Sequence, residues 1–230
     1  MIATPRVLCA TALLVLSGAP ALAQTPAPRP FAFSVGAGTD YWSKGLSKTD
    51  GEAYVFGTAD WRSGPVYAGV AAATVDIPIG ASWETDAKIG VRSKIVGWDT
   101  DFAVFYRAFQ DANPGTDDDY VEFRAQVSRG FGPLNVRLLT WQTPDNVGPP
   151  EAANWSEGRL TWRAGPKVRA SVSLGHHDQD KGPTYTAWNA GVGIDVAPQV
   201  ELDLRWYDTD AHAFGSRYEG EAVAALVTRF

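Results

Sequence analysis

The sequence predicts an all-β protein: an antiparallel transmembrane β-barrel of about twelve strands, preceded by a cleaved signal peptide. Apolar and polar residues alternate with a period of two along most of the chain, which is typical of strands because successive side chains lie on opposite faces. The connections alternate between short turns and long polar loops, as in bacterial membrane barrels. The chain ends in an aromatic residue, Phe230, on the apolar face of its last segment.

The first residues have the features of a signal for Sec-type export. Arg6 supplies a positive charge, residues 7–16 form a short apolar run, and Ala21 and Ala23 place small side chains where a signal peptidase cleaves. The apolar run is too short to cross a bilayer as a helix. The predicted domains are a signal peptide over residues 1–23, a flexible N-terminal tail over 24–30 and an outer-membrane β-barrel over 31–230.

The composition excludes several classes of protein. A formal charge of −6 does not favour nucleic-acid binding. No segment after the predicted signal has the run of about eighteen apolar residues that a membrane-spanning helix needs. Cys9 lies within the predicted signal, so the mature chain has no disulfide and no thiol chemistry. Nine tryptophans suit a barrel with aromatic girdles at the membrane interfaces.

The alternation divides the chain into strands. In residues 83–92, for example, the apolar Ala87 and Ile89 alternate with the charged Asp86 and Lys88. Strands of about 9–12 residues suit a tilted crossing of a bilayer, and an even number of them is usual in single-chain bacterial barrels. The predicted strands are residues 31–42, 52–61, 65–76, 83–94, 98–109, 119–129, 133–142, 155–163, 167–177, 184–196, 199–208 and 217–230.

The connections agree with this division. The tight turns contain Gly and Pro, which supply the backbone angles that such turns require. Short turns of a membrane barrel face the periplasm and long loops face the exterior, so twelve strands place both termini at the periplasmic end. The short turns are residues 62–65, 130–133, 164–166 and 197–199, and the long loops are residues 43–51, 77–82, 110–118, 143–154, 178–183 and 209–216.

Alternation by itself also fits a soluble sandwich or barrel, which hides its apolar face and shows charge to water. A membrane barrel inverts this arrangement and turns its apolar face toward lipid. Charges of both signs at mid-strand and aromatic residues near the strand ends favour the membrane barrel. The residues assigned to the aromatic girdles are Tyr41, Trp61, Tyr67, Trp83, Trp98, Trp162, Trp188 and Trp206.

The polar faces of the strands would then line the lumen. One interpretation is a water-filled pathway whose charges select solutes; the other is a network of ion pairs that closes the barrel. Eight strands leave no channel and sixteen leave a wide one, so twelve strands fit either interpretation. The predicted lumen charges are Glu84, Asp86, Lys88, Arg92, Arg107, Glu122, Arg124, Arg137, Arg159, Arg169, Glu201, Asp203 and Arg205.

Several short motifs resemble the TorF-type porin family of Gram-negative bacteria. The N-terminal signature of that family runs S/T-D-Y, then R-G-x-S, then a T-D pair, and the chain has Thr39-Asp40-Tyr41, Lys44-Gly45-Leu46-Ser47 and Thr49-Asp50 in the same order. Residues 67–70, 185–192 and 206–210 resemble later stretches of the family. Lys44 stands where the family usually has Arg, and Ala187 where it usually has Asp. The resemblance implies a porin-like outer-membrane barrel with no established substrate.

Other chemistry has weaker support, and we predict neither an enzyme nor a cofactor. Acidic clusters occur in the loops, but their spacing matches no EF-hand, so no metal site is predicted. Ser156 and His176 are both predicted to face outward on neighbouring strands, but one serine and one histidine without a G-x-S-x-G motif do not indicate a hydrolase. Motifs for phosphate, dinucleotide and Cys/His metal sites are missing from the sequence.

The predicted function is passive diffusion of small hydrophilic solutes across the outer membrane of a Gram-negative bacterium. The alternative is a non-conducting barrel with a structural or recognition role in that membrane. The expected partners are outer-membrane lipid, the small hydrophilic solutes themselves and the barrel-assembly machinery, for which the terminal Phe230 would serve as the assembly signal.

Overall fold

The computed structural model describes residues 30–147 and 152–230, and within them the chain forms a closed antiparallel barrel of twelve strands. The predicted signal peptide and residues 24–29 of the predicted tail lie outside the described residues. A short hairpin, β2 (Trp42–Ser43) with β3 (Leu46–Ser47), is separate from the barrel. The barrel strands are β1 (Phe31–Gly38), β4 (Tyr54–Ser63), β5 (Val66–Thr74), β6 (Trp83–Ile95), β7 (Trp98–Gln110), β8 (Asp119–Phe131), β9 (Leu134–Thr143), β10 (Ala153–Arg163), β11 (Val168–Gln179), β12 (Tyr185–Ala197), β13 (Val200–Thr209) and β14 (Glu221–Arg229).

Each barrel strand pairs with its neighbours in sequence, and β1 closes the barrel by pairing with β14. The predicted fold class is therefore confirmed. Five short turns lie at one end of the barrel, together with the start of β1 and the finish of β14; we call this the short-turn end. The long loops lie at the opposite end, which we call the long-loop end. Among the described residues, no helix is both long enough and apolar enough to cross a membrane.

Two predicted strand boundaries differ from the structure by four residues, and the others differ by no more than two. The first strand ends at Gly38 rather than at residue 42, because residues 39–51 turn inward; we call this segment the lumen hairpin. The last strand begins at Glu221 rather than at residue 217, because two single turns of 3₁₀ helix, His212–Phe214 and Ser216–Tyr218, precede it.

The outer face of the barrel is apolar and the inner face is charged. Leu174 and Ile89 on the outside are about 60% exposed, whereas Glu122 and Arg124 on the inside are buried. Soluble barrels have the opposite arrangement, and membrane barrels have this one.

Two of the predicted assignments to the aromatic girdles are wrong. Tyr41 and Tyr67 lie inside the barrel and are buried, because each hydroxyl donates a hydrogen bond to a lumen carboxylate, to Glu84 and Asp101 respectively. An aromatic ring with a polar tip fits either face, so alternation alone did not distinguish them. The predicted girdle residues that are exposed on the outer face are Trp61, Trp83, Trp162, Trp188 and Trp206, and Trp98 is half-buried.

The apolar outer face predicts that a charged side chain placed on it will destabilise the barrel in a membrane. Leu204 lies at the middle of β13 with its side chain 45% exposed on the outer face. We expect Leu204→Arg to lower the free energy of unfolding from phospholipid vesicles by about 2–4 kcal/mol, because an arginine at mid-bilayer must be desolvated. Urea titration of the refolded protein measures this, with Leu204→Met as the apolar control. A loss below about 0.5 kcal/mol, as for a water-exposed position, would contradict a lipid-facing surface.

Candidate functional site in the barrel lumen

The lumen hairpin crosses the inside of the barrel and contacts well-separated parts of its wall. The indole of Trp42 stacks on the ring of Tyr207 in β13, with 5.0 Å between centroids. The hydroxyl of Tyr185 in β12 donates a 2.8 Å hydrogen bond to the backbone carbonyl of Lys44. The ammonium group of Lys44 forms an ion pair with Glu122 in β8. The hairpin therefore divides the lumen instead of projecting from the long-loop end.

A buried hydrogen-bond network holds the hairpin in its conformation. One carboxylate oxygen of Asp40 accepts hydrogen bonds from Ser47 Oγ at 2.7 Å and from Thr49 Oγ1 at 2.6 Å. The same Thr49 oxygen accepts a 3.0 Å bond from the backbone N–H of Tyr41. Hydrogen bonds to a carboxylate are among the stronger ones in proteins, and burial strengthens them further.

Gly45 allows the hairpin to approach the wall closely. Its φ of +77° lies in the left-handed region, and a Cβ atom at this position would lie 2.2 Å from the Cβ of Ala187. A side chain would also meet the rings of Trp155 and Tyr185, at 3.3 Å. Only glycine fits both the backbone angle and the space. Ala187 is therefore a wall residue against which the hairpin packs.

Two lysines of the hairpin pair with carboxylates on the wall. Lys44 pairs with Glu122, and Lys48 pairs with Glu84 of β6. Burial lowers the pKa of Lys44 and of Lys48 from the ordinary value of a lysine, and the paired carboxylates of Glu122 and Glu84 oppose that shift. Since each pair is enclosed, removing one partner would leave an uncompensated buried charge.

The wall formed by β6, β7 and β8 carries a dense cluster of ion pairs. The guanidinium of Arg107 donates to both carboxylate oxygens of Asp86, at 2.7 and 3.0 Å, and lies 3.4 Å from Glu84. Nearby, the carboxylate of Asp101 accepts hydrogen bonds at 2.9 Å from both Arg92 and Arg124. Paired guanidinium and carboxylate groups of this kind fill the lumen on this side and stiffen it.

A polar cavity lies beside the wall formed by β9 to β13. Its volume is about 100 Å³, and its lining also includes Trp42 and Lys44 of the hairpin and Arg107 of β7. Arg137 and Arg159 both contact the single carboxylate of Glu157, at 2.6 and 3.3 Å. Arg205 donates to Asn189 at 2.7 Å and pairs with Asp203. We call this region the β9–β13 cavity.

The predicted lumen charges point into the barrel, and each has an ion-pair partner there. Glu84, Asp86, Arg107 and Glu122 come together on the β6–β8 wall, and Arg92 and Arg124 meet at Asp101. The remaining predicted charges form separate pairs: Arg137 and Arg159 at Glu157, Asp203 with Arg205, Arg169 with Glu201, and Lys88 of β6 with Asp60 of β4.

Sequence reasoning missed the contribution of the hairpin. Residues 43–51 were predicted to be an exterior loop, whereas the structure places Lys44 and Lys48 among the lumen charges and Trp42 against the opposite wall. The signal that was available is the clustering of Asp40, Ser47 and Thr49 with a glycine, since small hydroxyl and acidic residues close together form local hydrogen-bond networks.

The outward Ser156 and His176 are directly opposite each other in the pairing of β10 and β11. Their hydrogen bonds go elsewhere: Ser156 Oγ bonds with Thr140 and Asn154, and His176 Nδ1 bonds with Thr186. In residues 30–147 and 152–230, no three His, Cys, Asp or Glu side chains are grouped so that they could hold a metal ion.

Phe230 lies at the short-turn end, where its side chain is 59% exposed. Its backbone N–H donates a 2.9 Å hydrogen bond to the carbonyl of Phe33 in β1. The last residue thus extends the β1–β14 seam and presents its ring on the outer surface, beyond the outward Leu226 of the same strand.

A closed twelve-stranded barrel with an apolar exterior and a charged lumen has the fold of outer-membrane porins. The solved structures that it resembles include the KdgM porin (7% identity, TM-score 0.59, covering 86% of this chain and 99% of that one) and the NanC porin (9%, 0.57, 85% and 98%). They also include an outer membrane channel from Pseudomonas putida F1 (12%, 0.56, 89% and 97%).

The chain belongs to the bacterial family described as "Bacterial protein of unknown function (Gcw_chp)", which matches residues 22–227. No curated protein matches the chain.

The crowding at Gly45 predicts that a methyl group there displaces the hairpin. We expect Gly45→Ala to make trypsin cleave after Lys48 much faster in the refolded barrel, because Lys48 is enclosed in the lumen while the hairpin is seated. Mass spectrometry of timed digests measures the cleavage. Gly115→Ala is the matched control, since Gly115 has a similar φ of +85° but nothing within 4 Å of a new Cβ. Equal cleavage in the two variants would contradict the packing role.

Proposed function

We propose that this protein is an outer-membrane porin of a Gram-negative bacterium that lets small hydrophilic solutes pass through the side of the lumen formed by β9 to β13. One observation carries the proposal: the lumen hairpin packs its lysines into the ion pairs of the β6–β8 wall and leaves a polar cavity between itself and the wall of β9 to β13. A passage that is narrowed by an inserted segment and lined by charges would restrict solutes by both size and charge.

The proposal includes the route to the membrane. The N-terminal sequence supports Sec-type export, and the short motifs support kinship with the TorF-type porins. The exposed ring of Phe230 supports its recognition by the barrel-assembly machinery. The structural likeness to the KdgM and NanC porins, at 7% and 9% identity, supports the barrel architecture alone. A third similar structure is the KdgM porin in complex with disordered oligogalacturonate, a ligand of that protein.

A second candidate function is a non-conducting barrel with a structural or recognition role. The observation that favours it is the anchoring of the hairpin, since the Lys44–Glu122 and Lys48–Glu84 pairs and the Trp42–Tyr207 stack hold it across the lumen. In that case the hairpin would act as a plug and the cavity would have no through path.

Planar-bilayer conductance of the purified, refolded barrel tests the proposal. We expect small, reproducible channel events for the native chain. A variant in which Gly-Gly replaces residues 42–47 should conduct severalfold more, because the segment that divides the lumen is gone. Deletion of residues 113–116 from an exposed long loop is the control and should leave conductance unchanged.

The outcomes separate the two functions. Events in both the native chain and the hairpin variant support the porin. Conduction by the hairpin variant alone would show that the native barrel is plugged. The absence of channel events in both proteins would overturn the porin proposal. This result counts only for folded preparations, in which unheated and boiled samples migrate differently on an SDS gel.

A further inference from the structure

The β9–β13 cavity contains an unusual pair of like charges. Arg137 in β9 and Arg159 in β10 lie directly opposite each other in the strand pairing, and both point into the lumen. Like charges in directly opposed positions destabilise a sheet. Nothing in the strand geometry requires two arginines at this point, because the neighbouring inward positions of the same strands hold Leu139 and Glu157.

The one carboxylate beside these arginines does not satisfy them. Both guanidinium groups contact the same oxygen of Glu157, Arg137 through Nη2 and Arg159 through Nε. The buried Nε atom of Arg137 makes no hydrogen bond within the described residues, and that of Arg159 has only its 3.3 Å ion-pair contact with Glu157. Two positive groups that share one negative group leave a local excess of positive charge and free N–H donors, which is the arrangement that a bound anion completes.

The remaining lining indicates what kind of anion would fit. The amide of Asn189 and the hydroxyl of Ser173 offer neutral hydrogen-bonding groups, while the indole rings of Trp141 and Trp155 offer apolar surface. A small apolar acid would have no group to hydrogen-bond with the Ser173 hydroxyl or the Asn189 amide N–H, and an inorganic anion would not use the indole surface that faces the cavity. A hydroxylated ring that carries a carboxylate has partners for all three kinds of lining.

We infer that the β9–β13 cavity is a binding site for a small hydroxylated carboxylate of the sugar-acid class, held at its carboxylate by Arg137 and Arg159. The inference deepens the proposed porin function, and its consequence for transport rests on that function: the site would select such solutes on their way past the hairpin. Binding itself requires only a folded barrel, so it is tested separately from conduction.

Isothermal titration of the full mature barrel in detergent, with glucuronate and glucose as matched probes, tests the site. We expect glucuronate to bind at least about tenfold more tightly than glucose, which corresponds to about 1.4 kcal/mol. Arg137→Gln and Arg159→Gln should each weaken glucuronate binding by a similar factor. Glu157→Gln should strengthen it, because that change removes the carboxylate that competes with the ligand.

Arg169→Gln is the matched control. Arg169 also faces the lumen and is paired, with Glu201, but it does not line the cavity. Its loss should change glucuronate affinity by no more than about twofold, as for independent sites. The difference in mobility between unheated and boiled samples on an SDS gel confirms that each variant is folded.

The opposite effects expected at Glu157 and at the two arginines distinguish a binding role from a structural one, because damage to the fold would weaken binding in all three variants. Equal affinity for glucuronate and glucose, or weaker binding by Glu157→Gln, would overturn the site. Benzoate that binds as tightly as glucuronate would overturn the sugar-acid class. If the protein binds glucuronate specifically but shows no channel events in planar bilayers, the porin function would be rejected and the binding site retained.

Discussion

Charge pairing inside an enclosed lumen is the constraint on which the rest of this structure depends. Ionised side chains that are removed from water cost free energy unless they find partners. On the β6–β8 wall, the carboxylates of Glu84, Asp86 and Glu122 share the guanidinium of Arg107. Lys44 and Lys48 of the hairpin supply the two further positive charges. The hairpin lies inside the barrel because the wall presents the negative charges that its lysines need.

This pairing makes the lumen asymmetric. The hairpin completes the ion pairs on one side, and its aromatic residue Trp42 reaches Tyr207 on the other without filling the space there. The β9–β13 wall has the reverse imbalance, with Arg137 and Arg159 sharing Glu157. One side of the lumen is therefore closed by protein groups, and the other retains donors for a solute. A division of this kind lets a narrow barrel be rigid and still selective.

The sequence predicted the strands and their faces well because a period of two is a local property that each strand carries by itself. The predicted strands agree with the observed ones to within a few residues at most ends, and Leu204 and Leu174 lie on the outside as their alternation requires. Tyr41 and residues 43–51 were misplaced for the opposite reason. Their positions depend on Glu84, Glu122 and Ala187, which are distant in sequence and become neighbours only when the barrel closes.

By itself the sequence determined the fold class and the approximate number of strands, since both follow from alternation and turn chemistry. Only the tertiary structure decided which charges pair, that a loop enters the lumen, and that Arg137 lies opposite Arg159. Pairing across a barrel depends on strand register and on the side chain that each group meets at the opposite wall. These contacts join residues that are far apart in the chain. The path of the hairpin between the walls decides which of these contacts form.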